Sequence, residues 1–257
     1  MSALSYTVID GIAEILFDNP PVNALSETML DDYLAALRRA AADDSVRAVI
    51  VASAVPGRFC AGLNLQAIHE GDDSKVRSLL QRLYVQMTDT QFSLGKPSIA
   101  AIAGTARGGG MTLAISCDMI VAGSGASFGY PEIDAGVLPS IHFTHLPRVI
   151  GRHRAFELLF TVRAFGVDEA VTLGLVSRIA PEGGALAEAR RLAQTIAEKP
   201  SQVVRVGRAA FMHANDNGYR AAVSAAADSF CTVAAMPDAR EGIAAFVEKR
   251  KPAWRSK

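Results

Sequence analysis

The stretch from Lys96 to Pro139, KPSIAAIAGTARGGGMTLAISCDMIVAGSGASFGYPEIDAGVLP, contains the strongest structural signal in the chain. Three consecutive glycines, residues 108–110, lie between an apolar segment and a helix-like one. Glycine has no Cβ, so the backbone can approach a ligand closely. The first amides of a helix have no acceptor within it and lie at the positive end of its dipole. The pattern therefore predicts an oxyanion or phosphate site, with close backbone packing as the alternative.

A second glycine turn precedes this stretch. Residues 57–65, GRFCAGLNL, again lead from a short apolar run through glycine into the start of a helix. Strand, glycine turn and helix thus occur twice, which favours a sheet layered against helices over a helical bundle. Residues 96–139 contain neither GxGxxG nor GxxxxGK[ST], so they carry no dinucleotide fingerprint and no P-loop.

In this order, GRFCAGLNL, GKPSIAAIAG, GGG, CDMIVA and FGYPEIDAGVLP resemble the crotonase family, the enoyl-CoA hydratase and isomerase superfamily. DNPPVNAL near the start and GIAAFVEKRKP near the end also resemble this family, so the likeness covers nearly the whole chain. It implies an α/β fold, a crotonase-like spiral of β-β-α turns followed by a C-terminal helical oligomerisation segment, with trimers that pair into hexamers. It also implies an enzyme that acts on an acyl-CoA thioester. Coenzyme A is then part of the substrate, and neither a further cofactor nor a metal is expected.

Composition and charge are ordinary for a globular protein. The 257 residues are 50% apolar and 20% charged, and 26 basic residues balance 26 acidic ones. Bulk charge therefore gives no reason to expect nucleic acid or an anionic membrane as a partner. The start, MSALSYTVID, has no signal-peptide pattern, and no run of about 18 apolar residues predicts a membrane span. Cys60, Cys117 and Cys231 lie far apart, so reduced thiols in the cytoplasm are expected rather than a disulfide or metal site.

Lys199-Pro200 is the best candidate for a linker. It divides the chain into a predicted acyl-CoA-binding core, residues 1–198, and a helical trimerisation segment, residues 199–257. About 55 residues are few for an independent core, so this segment is expected to pack on the core and on neighbouring subunits. Upstream, Gly71 to Ser74 is predicted to be a mobile polar loop and Lys75 to Leu94 an amphipathic helix, and both are expected to shape the acyl pocket.

The family resemblance assigns two backbone amides, those of Leu63 and Gly109, to hold the thioester carbonyl oxygen. Side-chain identity does not matter for such donors, so Leu63 serves as well as the alanine often found there. Two preorganised donors favour an enolate-like state over the ground state, and losing one typically costs about 10²–10³ in rate. Gly109 gains further from the helix dipole because it lies at the helix N-terminus.

Family hydratases use two glutamates, and only one has a counterpart here. Glu132, within FGYPEIDAG, matches the second glutamate, whereas Thr112 occupies the position of the first. A threonine hydroxyl can hold a water but cannot take up a proton near neutral pH. Moving a double bond from the 3 to the 2 position needs only one base, which removes a proton from C2 and returns one at C4. The sequence therefore favours one-base isomerisation through Glu132.

Other interpretations stay open. In a 2-enoyl-CoA hydratase, His142 or a water held by Thr112 would replace the missing glutamate. His145 and Asp134 are further candidates for the second acid–base group, and surface or helix-end packing is the alternative for each of these three ionisable residues. A different thioester reaction, such as decarboxylation or C–C hydrolysis, and a non-catalytic CoA-thioester scaffold complete the set. Neither the acyl chain nor the pathway follows from the sequence.

Contacts to coenzyme A are carried over from the same motifs. The positions around the adenine are matched by Val22, Ala61 and Leu65. The positions that contact CoA from a neighbouring subunit or from the chain's own tail are matched by Phe230, Phe246 and Lys249. A solvated charge run is the alternative for Lys249. The first loop, NPPVNAL, lacks the lysine that family hydratases often carry there, which leaves the phosphate contacts unassigned.

Overall fold

Two β-sheets form the frame of the fold in this computed structural model, which describes residues 3–70 and 73–254. Within those residues the strands are β1 (Leu4–Ile9), β2 (Ile12–Phe17), β3 (Ala48–Ser53), β4 (Arg58–Cys60), β5 (Ser98–Ile102), β6 (Thr105–Arg107), β7 (Met119–Gly123), β8 (Ser127–Gly129), β9 (Phe165–Gly166) and β10 (Arg178–Ala180). The larger sheet has the order β1-β2-β3-β5-β7-β10, and the smaller one has the order β4-β6-β8-β9. Neighbouring strands are parallel, except that β1 pairs antiparallel with β2 and β8 with β9.

Helices connect and cover the sheets. Those described are α1 (Glu27–Ala42), α2 (Leu65–Glu70), α3 (Asp73–Leu80), α4 (Met87–Phe92), α5 (Gly109–Ser116), α6 (Ser140–Ile150), α7 (Arg152–Thr161), α8 (Val167–Thr172), α9 (Ala185–Ala197), α10 (Ser201–Asp216), α11 (Tyr219–Ala234) and α12 (Pro237–Val247). A π-helical turn (Gln81–Gln86) joins α3 to α4, and a 3-10 turn (Pro131–Ala135) carries Glu132. In the described part of the chain, no helix has both the length and the apolar character needed to cross a bilayer.

The chain alternates between the two sheets. β3 of the large sheet is followed by β4 of the small sheet, β5 by β6, and β7 by β8, and each pair leads into a helical segment. Successive β-β-α turns therefore stack with their strands in parallel. This confirms the α/β spiral that the family resemblance implies. The arrangement also places both glycine turns at equivalent points of neighbouring turns of the spiral, directly after β4 and β6.

Both faces of the large sheet are covered, which accounts for its nearly continuous apolar strands. On one face, α1 contributes Tyr33, whose ring lies 5.3 Å from the ring of Phe17 on β2. On the other face, Ala185, Ala189 and Ala193 of α9 pack on the sheet with the spacing of one helical face. This layered core fixes the large-sheet strands from which each turn of the spiral starts.

The predicted helix from Lys75 to Leu94 differs from the observed one in its hydrogen bonding. Helical structure runs from Asp73 to Phe92, but its middle turn, Gln81–Gln86, is π-helical. Hydrophobic periodicity does not distinguish a π turn within an α-helix, because both bury one face of the segment. Of the predicted loop Gly71 to Ser74, residues 71 and 72 lie outside the described residues, and the last two begin α3.

The C-terminal helices are attached to the core in different ways. α10 has one buried residue, Arg208, whose guanidinium donates to both carboxylate oxygens of Asp118 at 2.8 and 3.1 Å. The same group donates to the carbonyl oxygens of Gln91 at 2.7 Å and Phe92 at 3.2 Å. Apolar side chains of α10 remain exposed, Phe211 to 66%. In contrast, α11 packs on α6 and the π-helical turn, and α12 packs on α2 and the 3-10 turn.

Arg208→Met removes the polar anchor of α10 and keeps the apolar stem of the side chain. Asp118 then loses its charged partner. Its side chain is 20% exposed, against 6% for Arg208, so the loss should be about 1.5–3 kcal/mol, the range for a hydrogen bond to a charged group. We expect a lower free energy of unfolding in urea denaturation. Arg205→Met, at an exposed position of the same helix, is the control and should leave stability nearly unchanged. Equal losses in the two variants would contradict the assignment.

Candidate active site

The two glycine turns lie against each other. A Cβ at Gly62 would lie 3.1 Å from the amide nitrogen of Gly109, and a Cβ at Gly109 would lie 3.4 Å from the Cα of Gly62. Gly110 packs even closer to β4, because a Cβ there would lie 2.3 Å from the carbonyl oxygen of Cys60. Gly108 has φ +50°, a conformation that L side chains rarely adopt. The two sequence segments predicted to contribute to one site therefore meet.

Two backbone amides at this junction have no acceptor. Within the described residues, neither the N–H of Leu63 nor that of Gly109 donates a hydrogen bond. Gly109 is the first residue of α5, so its amide has no partner inside the helix. The chain around Leu63 is held by its neighbours, since Leu25 donates to Gly62 O at 2.8 Å and Asn64 donates to Leu25 O at 3.0 Å. Fixed amides without acceptors are the groups that oxyanion stabilisation requires.

Glu132 lies against Gly108, the residue before the Gly109 amide, on the 3-10 turn that follows β8. Its Oε1 is 3.3 Å from the position that a Cβ of Gly108 would take. Burial raises the pKa of the carboxyl group from 4.5 to about 7, and a hydrogen bond from its own amide partly opposes this rise. Near neutral pH the ionised and protonated forms are therefore both populated. A carboxyl group in that state can accept a proton and return it.

Thr112 and His142 meet one helical turn deeper in the site. Thr112 follows Gly109 by one turn of α5, and its Oγ1 lies 3.3 Å from Nε2 of His142 on α6. Both side chains are buried, and burial lowers the pKa of His142 from 6.5 to about 3. His142 is therefore neutral at physiological pH and has one donor and one acceptor nitrogen. This pair can bind a water or a substrate hydroxyl, but it supplies no negative charge.

Two tyrosines near Glu132 were missed by the sequence analysis. Tyr130 directly precedes the 3-10 turn, and its ring lies 4.5 Å from the ring of His142. Tyr84 lies on the π-helical turn, which packs on α5. Burial first, and then the charge of Glu132, raise the pKa of both phenols, so both are neutral donors. Tyr130 lies within FGYPEIDAG, the motif that identified Glu132, whereas no local pattern around Tyr84 connects it with the site.

The turn that carries Glu132 is supported by the C-terminal helix α12. A Cβ at Gly242 would lie 2.6 Å from the carbonyl oxygen of Ala135, so the helix and the turn touch backbone to backbone. A Cβ at Gly136 would likewise lie 2.9 Å from the carbonyl oxygen of Asp238. The position of Glu132 therefore depends on a helix almost at the end of its own chain.

His145 and Asp134, the further acid–base candidates, do not join this group. Nδ1 of His145 lies 3.5 Å from the hydroxyl of Tyr219 on α11, and burial lowers the pKa of this histidine to about 4. Asp134 is exposed on the 3-10 turn. The second acid–base position is therefore occupied by the neutral pair Thr112 and His142.

A cavity of about 730 Å³ lies beyond Thr112, between α5, α6 and α10. Its lining is mostly apolar and includes Ile141, Phe211 and Tyr219. Of the site residues it is Thr112 that lines the cavity, whereas Glu132, Leu63 and Gly109 do not. The candidate site is therefore located by its hydrogen-bonding groups and not by this large cavity.

The three residues assigned to the adenine lie in the first part of the chain. The N–H of Ala61 donates to the carbonyl oxygen of Val22 at 3.0 Å, which joins these two backbones. Leu65 begins α2, two residues after Leu63. Contact of these residues with coenzyme A stays a prediction.

The tail residues assigned to coenzyme A are placed separately. Phe230 on α11 is 1% exposed and packs in the core. Phe246 on α12 is 63% exposed, and Lys249 follows this helix on the surface. α12 packs on α2, so Phe246 lies on a helix that contacts the one begun by Leu65. A role of these side chains in binding stays a prediction as well.

Comparison with known proteins places this geometry in a family. A family model described as "Enoyl-CoA hydratase/isomerase" matches residues 7–257. The crotonyl-CoA hydratase of Syntrophomonas wolfei subsp. wolfei is 33% identical over 252 residues, which cover 95% of this chain and 94% of that protein. The human "Enoyl-CoA hydratase domain-containing protein 2, mitochondrial" is 37% identical over 252 residues, which cover 94% of this chain and 85% of that protein.

A solved structure agrees with these relatives. The crystal structure of an enoyl-CoA hydratase from Bacillus anthracis has a TM-score of 0.78 and 29% identity, and the match covers 99% of this chain and 100% of that chain. The likeness thus extends over the sheets, the glycine turns and the C-terminal helices together. The chain belongs to the enoyl-CoA hydratase/isomerase family and is a crotonase-fold enzyme of acyl-CoA thioesters.

Proposed function

We propose that the protein isomerises 3-enoyl-CoA to 2-enoyl-CoA with Glu132 as its single base. The main support is one buried carboxyl group with a pKa of about 7 beside two amides without acceptors. The carboxylate takes a proton from C2, and the electron pair moves onto the thioester oxygen, where the amides of Leu63 and Gly109 stabilise it. The protonated Glu132 then returns its proton to C4, which leaves the double bond between C2 and C3.

The charge around Glu132 favours this reaction. A dienolate intermediate carries a negative charge, and a second carboxylate nearby would raise its energy in a buried site. At the position of that carboxylate the chain has Thr112 in contact with a neutral His142. One base whose pKa lies near ambient pH is suited to both proton transfers, because neither form of Glu132 is too stable to react.

Hydration of 2-enoyl-CoA is the second candidate. The contact between Thr112 and His142 favours it, because a hydroxyl and a neutral imidazole can together orient a water. The crotonyl-CoA hydratase of Syntrophomonas wolfei subsp. wolfei, by its name, also points to this reaction. In either reaction the free amides and Glu132 favour catalysis over a non-catalytic CoA-binding role.

We further propose that residues 199–257 assemble the chain into trimers, which can pair into hexamers, while residues 1–198 bind the acyl-CoA. The apolar side chains that α10 leaves exposed, such as Val203 at 68% and Phe211 at 66%, support an interface on this helix. The three cysteines are free, which supports a reducing compartment such as the cytoplasm.

Glu132→Gln keeps the size of the side chain and removes its proton chemistry. We expect kcat to fall by about 10²–10⁴, because the variant cannot take the C2 proton, while coenzyme A affinity is retained. Assays with 3-enoyl-CoA and 2-enoyl-CoA measure the rates, and calorimetry measures the affinity. Asp134→Asn, which removes an exposed carboxylate on the same turn, should behave like wild type. Wild-type turnover by Glu132→Gln would contradict the proposal.

Thr112→Glu supplies the carboxylate that family hydratases have at this position. If its absence limits hydration, the ratio of hydration to isomerisation should rise by about tenfold or more. Mass spectrometry of the products distinguishes water addition from double-bond migration. Thr112→Gln, which is equal in size but cannot ionise, is the control. An unchanged ratio in both variants would show that the second carboxylate does not select the reaction.

The reaction rate and the stability of the fold should both depend on pH through the ionisation of Glu132. Below its pKa of about 7, kcat/KM should fall about tenfold per pH unit, because only the ionised form accepts the C2 proton. The folded pKa exceeds the unfolded value of 4.5, so ionisation increasingly destabilises the fold as pH rises from 4.5 to about 7. Over this window Glu132→Gln should gain up to about 3 kcal/mol in unfolding free energy relative to wild type. A pH-independent difference in stability would refute the assigned pKa.

A further inference from the structure

Buried polar atoms without partners are concentrated around Glu132. Within the described residues, Tyr130 OH, Glu132 Oε2, Ser140 Oγ and His142 Nδ1 are buried and make no hydrogen bond. The only other buried side-chain nitrogen or oxygen of this kind in the described residues is the hydroxyl of Tyr6, on β1. Buried polar groups in native proteins almost always have a partner, so four exceptions between residues 130 and 142 call for a shared cause.

These groups belong to two adjoining elements, the 3-10 turn and the start of α6, and the rings of Tyr130 and His142 are in contact. Tyr130 lies next to the 3-10 turn that carries Glu132, and its ring lies 4.5 Å from the ring of His142. Ser140 begins α6, and the amide of His142 donates to the carbonyl oxygen of Pro139 at 2.9 Å, which fixes this first turn. We call Tyr130, Ser140 and His142 the polar pocket.

The two carboxylate oxygens of Glu132 are in different situations. Oε1 lies 3.3 Å and Oε2 4.0 Å from the position that a Cβ of Gly108 would take. Oε1 is therefore the oxygen nearer to Gly108. Oε2 is the buried oxygen that has no hydrogen-bond partner. A buried carboxylate oxygen without a hydrogen bond disfavours the ionised form that the reaction needs.

We propose that Tyr130 is a positioning residue for Glu132: its hydroxyl, together with Ser140 and His142, binds a buried water that donates a hydrogen bond to Oε2. A buried water typically needs about two to four polar partners, which the polar pocket and Oε2 supply. The water gives Oε2 a donor in the ionised state and leaves Oε1 to accept the C2 proton. This inference rests on the proposed role of Glu132 as the base and extends it to the group that keeps the base ionised.

Among the described residues, no charged side chain contributes to the pKa of Glu132. The groups that face Glu132 are Tyr84 on the π-helical turn, Tyr130 before the 3-10 turn and His142 on α6, and all three are neutral at physiological pH. α7 and α12 also pack on the turn, and their charged side chains make no contribution to the pKa of Glu132. A hydrogen bond to Oε2 is therefore expected to lower the pKa of Glu132.

Tyr130→Phe tests the inference, because it removes one hydroxyl and keeps the ring. A hydrogen bond to a charged group has an effect of about one pKa unit, so the acid limb of the kcat/KM profile should move upward by about one pH unit. Activity at pH 6 should then fall about tenfold, and the difference from wild type should shrink above pH 8. Thermal stability should change little, since the ring keeps its packing and the hydroxyl has no protein partner. Tyr6→Phe removes the other unpartnered phenol and should leave the profile unchanged.

The outcomes separate this inference from the proposed function. The profiles are recorded with whichever of 3-enoyl-CoA and 2-enoyl-CoA the wild type converts, with Glu132→Gln alongside. If Glu132→Gln is inactive and the profile of Tyr130→Phe superimposes on that of wild type, the proposed base stands and the positioning role is wrong. A pH-independent loss of activity with lower stability in Tyr130→Phe would indicate core packing and would also overturn it. If Glu132→Gln keeps the wild-type profile, the proposed base itself is wrong.

Discussion

Close contact between two backbone turns is the constraint on which the site depends. Gly62 and Gly109 approach to within van der Waals contact, and at Gly110 a Cβ would overlap the backbone of β4. Each turn directly follows a strand of the small sheet, so the parallel pairing of β4 with β6 determines how far apart the two turns lie. The amides of Leu63 and Gly109 are therefore positioned by main-chain geometry alone. Donors fixed in this way need no reorganisation when charge develops on the substrate oxygen.

The same close packing determines the chemistry of Glu132. The carboxyl group of Glu132 lies against Gly108 with its Oε2 buried, and burial raises its pKa to about 7. Thr112 has no charge, and the phenols of Tyr84 and Tyr130 are neutral because burial raises their pKa. His142 is neutral because burial lowers its pKa. Among the described residues of the site, Glu132 is thus the one group whose pKa lies near neutral pH, and holding it ionised reduces the stability of the fold. Groups whose pKa is strongly shifted by their surroundings are common at functional sites.

The sequence predicted those features of the fold and the candidate site that depend on main-chain geometry or on a local motif. The glycine turns, Glu132 and the β-β-α order could be predicted, because glycine spacing and apolar runs report main-chain geometry directly. Two features could not be predicted because they depend on how separate elements pack. These are the contact between Thr112 and His142 and the position of Tyr84. The π-helical turn was missed because its apolar face has the same pattern as an α-helix. Local signals thus pointed to the candidate donors, Leu63 and Gly109, and to the candidate base, Glu132, and packing determined their surroundings.

The C-terminal helix α12 contacts the 3-10 turn that carries Glu132. α12 touches the 3-10 turn through Gly242 and Ala135, where a side chain on the helix would collide with a carbonyl oxygen. It also packs on α2, the helix that follows the first glycine turn. Because one rigid helix contacts both the turn that carries Glu132 and the segment after Leu63, a shift of α12 would move Glu132 and Leu63 together. The tail therefore belongs to the active site in a mechanical sense, whatever its role in assembly.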